Sequence, residues 1–229
     1  VSEGSPKRAV VDGNLISGNN GAGVLISGPG SDNHRITGNQ IGTNAAGTTA
    51  LANSQSGIQV SGGAKNTLIG TDGDGLDDIA ERNVVSGNSQ YGVSISGVGT
   101  DNTVVAGNYI GVSASGAARI ANTWYGVAVS GSALNTRIGT NGDGNGYDAN
   151  ERNIIAGNSL ANIFVSSSTT VIAGNYIGAN ATGSASIGNG SYGIYVFTGA
   201  SDVRIGTDGN GVADADERNL ISGNGSYGI

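Results

Sequence analysis

The six residues "NLISGN" at 14–19 decide the fold, because close copies of them return three times along the chain. The copies are "NVVSGN" at 83–88, "NIIAGN" at 153–158 and "NLISGN" at 219–224, at steps of 69, 70 and 66 residues. Three stretches of text between them, beginning at Gly38, Gly107 and Gly174, also align without a gap. Repetition at a fixed period indicates a repeat architecture. We therefore predict one domain over residues 1–229, with super-repeats at 14–82, 83–152 and 153–218 and a partial one at 219–229.

Each super-repeat contains six short apolar clusters, which predict strands. The clusters are rich in Ile and Val and end at Gly, Asn or Ser, as strands do. Their centres in the first unit are Ile16, Ile26, Ile36, Ile41, Ile58 and Ile69. Six strands make two three-sided coils, and stacking the coils pairs every strand in parallel around a narrow core. The sequence thus predicts an all-β parallel solenoid of about seven coils, roughly 30 Å long at ~4.8 Å per coil.

The coil register makes two further predictions. Coils should start at Ile16, Ile41, Val85, Ile110, Ile155, Ile177 and Ile221. Inward positions should be held by Ile36, Ile41, Ile69, Ile110, Ile138, Ile177 and Ile205. The Gly and Asn residues at the corners are expected to supply left-handed backbone angles.

Charge and composition exclude several classes of protein. The net charge is −7, and the ten basic residues are scattered singly apart from Lys7 and Arg8. Nucleic acid and anionic membranes need clustered Lys and Arg, so neither is an expected partner. No apolar run approaches the ~18 residues of a membrane span. The chain has no Cys, which removes disulfide and thiol chemistry.

The negative charge is concentrated in three related stretches. They are "GTDGDGLDDIAERN" at 70–83, "GTNGDGNGYDANERN" at 139–153 and "GTDGNGVADADERN" at 206–219. These stretches hold five, three and four acids, which together make 12 of the 17 Asp and Glu. We refer to them as the first, middle and last acidic corners.

The acidic corners resemble the calcium loops of thrombospondin type-3 and EF-hand-like repeats. In the first and last corners the oxygen ligands and a Gly follow the spacing of "DxDGxxDxxE". Alternate carboxylates in such loops wrap a cation, and the Gly allows the sharp turn. Gly70 and Gly206 stand where the family has its first acid. The middle corner fits only as "NxDxNG", without a clear distal Glu. The resemblance implies calcium ligands at Asp72, Asp74, Asp78, Glu81, Asn141, Asp143, Asn145, Asp208, Asn210, Asp214 and Glu217.

A plainer interpretation of these corners needs no metal. The acids could form solvated loops in which Asp, Asn and Gly serve only the turns. Each Glu would then pair with the Arg that follows it in sequence, as an exposed salt bridge worth about 0 to 1 kcal/mol. These pairs are Glu81 with Arg82, Glu151 with Arg152 and Glu217 with Arg218.

The phrases "NLISGN", "GNYIG" and "YGI" resemble those of right-handed parallel β-helix repeat proteins, in particular bacterial surface and secreted proteins. The likeness covers nearly all residues from Val10 onward and implies a right-handed β-helix. It does not imply one activity, because related solenoids include polysaccharide lyases, hydrolases, epimerases, adhesins and structural modules.

No catalytic residue is predicted. His34 is the single histidine, the serines lack a nucleophile elbow, and the distinctive residues recur in every unit, whereas a catalytic site needs one copy of each group. Tyrosines precede a "G[IV]" strand at Tyr91, Tyr125, Tyr192 and Tyr227. They are expected either to pack the corners or to form a stripe that stacks on sugars.

These observations together predict an extracellular or cell-surface structural module, not an enzyme, stabilised by calcium. The alternative is a carbohydrate-active β-helix protein, either a polysaccharide lyase or epimerase or a glycan-binding adhesin, with polysaccharide as the partner. The unfinished coil at Gly225–Ile229 and the segment Val1–Val11 also predict head-to-tail self-association into a filament, with a fragment of a longer chain as the alternative.

Overall fold

The computed structural model describes residues 8–229 and is a right-handed parallel β-helix. Residues 1–7, which the filament prediction includes, lie outside the described residues. Within residues 8–229 there are twenty strands and no α-helix, only a 3-10 turn at Asp148–Glu151. No helix in this part of the chain is long and apolar enough to cross a membrane.

The strands form three parallel sheets; each of the first six coils of the β-helix contributes one strand to each sheet, and the seventh contributes strands to sheets A and B. Sheet A contains β1 (Val10–Asp12), β4 (Arg35–Thr37), β7 (Leu68–Gly70), β10 (Val104–Ala106), β13 (Arg137–Gly139), β16 (Val171–Ala173) and β19 (Arg204–Ile205). Sheet B contains β2 (Leu15–Ile16), β5 (Gln40–Ile41), β8 (Val84–Val85), β11 (Tyr109–Ile110), β14 (Ile154–Ile155), β17 (Tyr176–Ile177) and β20 (Leu220–Ile221). Sheet C contains β3 (Val24–Ser27), β6 (Ile58–Ser61), β9 (Val93–Ser96), β12 (Val127–Ser130), β15 (Ala161–Val165) and β18 (Tyr192–Val196).

The predicted coil register is confirmed. All seven predicted coil starts lie in sheet B, where Ile16 pairs with Ile41, Ile41 with Val85, and so on to Ile177 with Ile221. Counted from their strands in sheet A, the first coil is β1 to β3, and the seventh begins with β19 and β20. In the seventh coil, Tyr227 and Gly228 accept backbone hydrogen bonds from β18, so the segment continues sheet C.

The core is a column of aliphatic side chains along the axis. Ile36, Ile41, Ile69, Ile110, Ile138 and Ile177 are completely buried, as predicted. Ile205 is only partly buried, because it lies in the last coil, where no further coil packs against it within the described residues. Valines and alanines from the same sheets fill the remaining space of the narrow interior.

Two ladders of asparagines bind successive coils together at the ends of sheet B. The first links Asn14, Asn39, Asn83, Asn108, Asn153, Asn175 and Asn219, and each side-chain amide donates to the next Oδ1 at 2.8–3.1 Å. The second links Asn19, Asn53, Asn88, Asn122, Asn158, Asn162 and Asn224 at 2.8–3.0 Å. A buried amide needs such partners. The first ladder supplies one at every coil, whereas the second has two asparagines in the fifth coil, Asn158 and Asn162, and passes from there to Asn224 of the seventh.

The ladders correct one expectation about the corner asparagines. Left-handed backbone angles were expected, and Asn33, Asn66, Asn102 and Asn135 adopt them between sheets C and A. The ladder asparagines do not belong to the positive-φ residues within 8–229. Their role is the side-chain hydrogen bond between coils, not the backbone angle.

Two kinds of long corner alternate along the rod. In coils two, four and six, a small hairpin follows sheet B, closed by the bridges Thr43 to Ala50, Val112 to Arg119 and Ala179 to Ser186. In coils three, five and seven, an acidic corner joins sheet A to sheet B. The acidic corners therefore lie along one edge of the rod, two coils apart.

Candidate functional sites

The three acidic corners share one internal hydrogen-bond pattern. In the first corner, the Thr71 hydroxyl donates to Asp78 Oδ1 at 2.7 Å, and the Gly75 amide donates to Asp78 Oδ2 at 3.2 Å. Thr140 with Asp148 and Thr207 with Asp214 repeat the hydroxyl contact at 2.6 and 2.8 Å. The aspartate thus closes each loop from within.

The corner glutamates are held by arginines of sheet A. Arg137 Nη1 contacts Glu151 Oε1 at 2.7 Å, and Arg204 Nη1 contacts Glu217 Oε1 at 2.8 Å. In the first corner the arginine belongs to the preceding coil: Arg35 Nη2 lies 2.7 Å from Glu81 Oε1 and 2.8 Å from Asp72 Oδ2. Only 2% and 1% of the Glu151 and Glu217 side chains are exposed, against 20% of Glu81.

This geometry corrects the plainer interpretation of the corners, in which each Glu pairs with the next Arg in an exposed salt bridge. The neighbouring arginines point elsewhere. The Arg82 guanidinium lies 4.2 Å from the centre of the Tyr109 ring, and Arg152 lies 4.5 Å from that of Tyr176. Cation–π contacts of this kind join the first and middle acidic corners to the following coil.

The corners also stack on one another. The Asn150 amide of the middle corner donates to Asp78 Oδ2 at 2.8 Å, and the Asn145 amide donates to Gly73 O at 2.9 Å. A Cβ on Gly73 would lie 2.8 Å from Glu151 Cγ, so Gly is required there for close approach. Gly142 covers Glu217 of the last corner in the same way.

Part of the predicted ligand set is brought together in two of the corners. Carboxylate oxygens of Asp72, Asp78 and Glu81 lie within 4.8 Å of one another, and so do those of Asp208, Asp214 and Glu217. We call these groups the first and last triads.

The other predicted ligands lie outside the triads. Asp74 Oδ1 accepts the Leu76 amide at 2.7 Å, and Asn210 Oδ1 accepts the Val212 amide at 2.6 Å. In the middle corner, Asp143 Oδ1 accepts the Asn145 amide at 3.0 Å. Asn145 itself contacts the first corner, as described above. These side chains stabilise their own turns.

The middle corner differs in one ligand. Glu151 Oε2 accepts the Asn141 amide at 2.9 Å, just as Glu217 Oε2 accepts the Asp208 amide at 2.9 Å. Glu151 is therefore the distal Glu that the sequence alignment did not locate, because one extra residue precedes Asp148. Asn141 occupies the place of Asp72, so this corner has two carboxylates where the others have three.

The donor atoms of the triads suit a hard divalent cation, but an arginine beside each triad reduces its negative charge. Carboxylate oxygens are the ligands that calcium prefers. Arg35 already contributes one positive charge to the first triad, and Arg204 one to the last. Each triad with its arginine keeps a formal charge of −2, whereas the middle corner has −1. Asp72, Asp78 and Glu81, with Asp208, Asp214 and Glu217, would hold the ion.

The pKa values of the two triad glutamates are shifted in opposite directions. Burial raises the pKa of Glu81 above its ordinary value; the Arg35 charge opposes this shift and the Asp72 charge adds to it. Burial also acts to raise the pKa of Glu217, but hydrogen bonds from the Asp208 amide, Arg204 and Thr207 outweigh it and lower the pKa. In the first corner one arginine is shared between two carboxylates, so each is less well compensated.

A second candidate site is a row of aromatic rings on the outer side of sheet C. The Tyr91 and Tyr125 rings stack at 5.8 Å, and those of Tyr125 and Phe164 at 4.8 Å. Tyr195 meets Phe164 edge-on and continues the row. The aromatic ladder, as we call it, consists of Tyr91, Trp124, Tyr125, Phe164, Tyr192, Tyr195, Phe197 and Tyr227.

The ladder contains all four tyrosines singled out in the sequence. In the fifth coil their position is taken by Ala161, which pairs with Tyr192. Phe164 of the same strand fills the gap, since its ring stacks on Tyr125 with an interplanar angle of 6°. Sequence periodicity alone does not find Phe164, because it lies three residues beyond the expected position.

Comparisons of the chain with profiles of known protein families, with curated proteins and with solved structures find no match. The geometry of the chain itself therefore carries the functional argument.

Proposed function

We propose that the chain is a nonenzymatic structural β-solenoid of the cell exterior, in which calcium at the first and last triads stabilises the acidic edge. The observation that carries the proposal is that the recurring polar side chains hold neighbouring coils and corners together. The asparagines join coil to coil, and the corner acids join strand to corner and corner to corner. A rod built from such repeated links is suited to carry or space other parts of a surface assembly.

Calcium affinity is expected in the range of extracellular modules, with dissociation constants of about 10⁻⁴ to 10⁻³ M. Such a site fills only where calcium is abundant, which agrees with a location outside the cell. Because an ion that binds only the folded chain adds stability by mass action, calcium should raise the melting temperature.

The experiment is calcium titration by calorimetry on the wild type and on matched variants. The triads predict two ions per chain, loss of one with Asp72→Asn and loss of the other with Asp208→Asn. Asp74→Asn is the control in the same loop. This variant keeps the calcium ion if the triad is the site and loses the ion if the EF-hand-like ligand set, which includes Asp74, is the site. If the Asp72→Asn, Asp208→Asn double variant retains both ions, the triads are not the calcium sites. If the wild type binds no calcium, the chain is not a calcium-binding protein.

Head-to-tail self-association remains part of the proposal. Within residues 8–229, no strand pairs with the outer edge of β1, β2 or β3, or with that of β19 or β20. Val10, Leu15 and Leu25 of the first coil are more than half exposed. An unpaired parallel edge can pair with further coils of the same chain or with another copy of it. Sedimentation velocity over a range of concentrations tests this directly: a single monomer species throughout argues against it.

A further inference from the structure

The outer side of sheet C differs from sheet A and its corners in having no charged residue. The sheet C strands and the residues leading into them, at 54–61, 86–96, 123–130, 156–165 and 189–197, contain no Asp, Glu, Lys or Arg. The arginines and acids lie instead on sheet A, on its acidic corners and at the turns between sheets C and A. The exception is Arg119 of the hairpin after sheet B, whose side chain donates to Gly157 O at 2.6 Å at the corner before sheet C. The aromatic ladder therefore runs along an electrically neutral face.

The same face is apolar and carries available hydroxyl groups. Trp124, Phe197 and Tyr227 are 40%, 47% and 62% exposed, and Leu160 and Val196 beside them are also exposed. None of the tyrosine hydroxyls of the ladder makes a hydrogen bond within residues 8–229. The structure thus combines apolar ring surface with a row of groups that can both donate and accept.

Ring orientation separates two kinds of contact along the ladder. Two groups of rings stack face to face, Tyr91 with Tyr125 and Phe164, and Tyr195 with Tyr192 and Tyr227, so their edges and the tyrosine hydroxyls remain for a partner. Trp124 is turned 74° from the Tyr91 ring, and Phe197 is turned 77° from that of Tyr195. These two rings stand across the stacked groups and are 40% and 47% exposed, so a flat apolar group can pack against them.

We propose that the aromatic ladder binds a neutral polysaccharide lying along the axis of the rod. Sugar units of a neutral chain have apolar C–H surface and many hydroxyls but no charge. Their C–H surface can pack on the rings of this face, and their hydroxyls can bond to its tyrosine hydroxyls. The ladder spans the third to the seventh coil, about 20 Å at ~4.8 Å per coil. That length suits a chain of several sugar units. An acidic polysaccharide or a nucleic acid would need cations that this face lacks. The proposal does not depend on calcium at the acidic corners.

The test is electrophoresis of the intact chain in native gels containing neutral polysaccharides (hydroxyethylcellulose, galactomannan, barley β-glucan, dextran) or acidic ones (polygalacturonate, alginate). Trp124 is the single tryptophan of the chain, so its fluorescence reports on the ladder directly. We expect retardation by at least one neutral polysaccharide, with a blue shift of the Trp124 emission. No retardation by neutral chains, or retardation only by acidic ones, overturns the proposal.

Variants locate the binding surface. Trp124→Ala should weaken the binding about tenfold, as expected for an exposed tryptophan that serves as a main contact. Tyr125→Phe keeps the ring stack and removes one hydroxyl, so a loss of about threefold shows that the hydroxyls take part without disturbing the fold. Tyr147→Ala, an exposed aromatic of the middle corner, is the matched control and should bind as the wild type does. Equal loss in the Tyr147→Ala control overturns the assignment, as does self-association that Trp124→Ala abolishes, since the ladder would then be an interface between copies.

Discussion

The first acidic corner and the two that follow it have nearly the same sequence pattern, but their glutamates lie in different surroundings. Glu151 and Glu217 are each covered by a glycine of the preceding corner, Gly73 and Gly142. Glu81 has no acidic corner before it within residues 8–229, and a cleft of about 450 Å³ bounded by Asp12, Arg35 and Glu81 lies there instead. The exposure of a corner glutamate therefore follows from whether another acidic corner precedes it in the stack.

The largest expected effect separates the covered corner from the open one. Arg137→Met leaves Glu151 buried without its cation, and uncompensated buried charges of this kind cost about 3 kcal/mol or more. Arg35→Met leaves Asp72 and Glu81 beside an open cleft, where water compensates them, so we expect about 1 kcal/mol. Urea unfolding at pH 7 without calcium measures both.

The double variant Arg137→Met, Glu151→Gln serves as the control. Removing the charge of both partners should restore most of the lost stability, because the cost arises from the unpaired carboxylate. Equal losses for Arg137→Met and Arg35→Met would show that coverage by the preceding corner has no energetic consequence.

A second prediction isolates the contact between corners. Gly73→Ala places a methyl group 2.8 Å from Glu151 Cγ, and the Glu151 side chain is held by Arg137 and Thr140. Gly209→Ala is the matched control, since Gly209 has a similar φ of +72° and nothing within 4 Å of its Cβ position. The control should lose about 1 kcal/mol from backbone strain alone. Gly73→Ala should lose about 1 to 2 kcal/mol more in thermal or urea unfolding; identical losses would contradict the stacking.

The contrast also shows how far the sequence leads. The coil register was predictable because each inward position needs an aliphatic residue and each corner a Gly or Asn, and both recur at fixed places. The arginine partners were not, because Arg35 lies 46 residues before Glu81 while Arg82 is adjacent to it. Nothing local shows that the more distant arginine makes the contact.

The asparagine ladders illustrate the same limit in another way. The recurrence of Asn at both ends of "NLISGN" is visible in the sequence, and a turn residue was the natural interpretation. A ladder requires that Asn83 and Asn108 meet across coils, a fact that depends on the register of sheet B. Once that register is known, the repeated Asn itself predicts the ladder.

A third prediction uses the middle corner to test the triads. Asn141→Asp supplies the carboxylate that this corner lacks relative to Asp72 and Asp208, so the variant should bind one more calcium ion than the wild type. At 10 mM calcium, one added site with a dissociation constant of about 1 mM stabilises the fold by about 1.4 kcal/mol. Native mass spectrometry counts the ions.

Asn210→Asp is the matched control for that count. It adds an acid to the last corner at a position outside the triad, where the side chain accepts the Val212 amide. It should leave the number of ions unchanged. An extra ion in Asn210→Asp but not in Asn141→Asp would favour the EF-hand-like ligand set over the triads.

The smallest expected effect is a difference in pH dependence between the first and last glutamates. The pKa of Glu217 is lowered on folding, so the unfolded chain binds this proton more tightly, and stability rises with pH through the window below about 4.5. The pKa of Glu81 is raised, so the folded chain holds the proton more tightly, and stability falls as the pH rises above that value. The substitutions Glu217→Gln and Glu81→Gln should therefore change stability in opposite senses between pH 3 and pH 7. With EDTA present, the loss in Glu217→Gln grows with pH and then levels off, whereas Glu81→Gln gains relative to the wild type. Parallel pH profiles for the two variants would mean that the shared Arg35 compensates both carboxylates of the first corner as fully as Arg204 compensates Glu217.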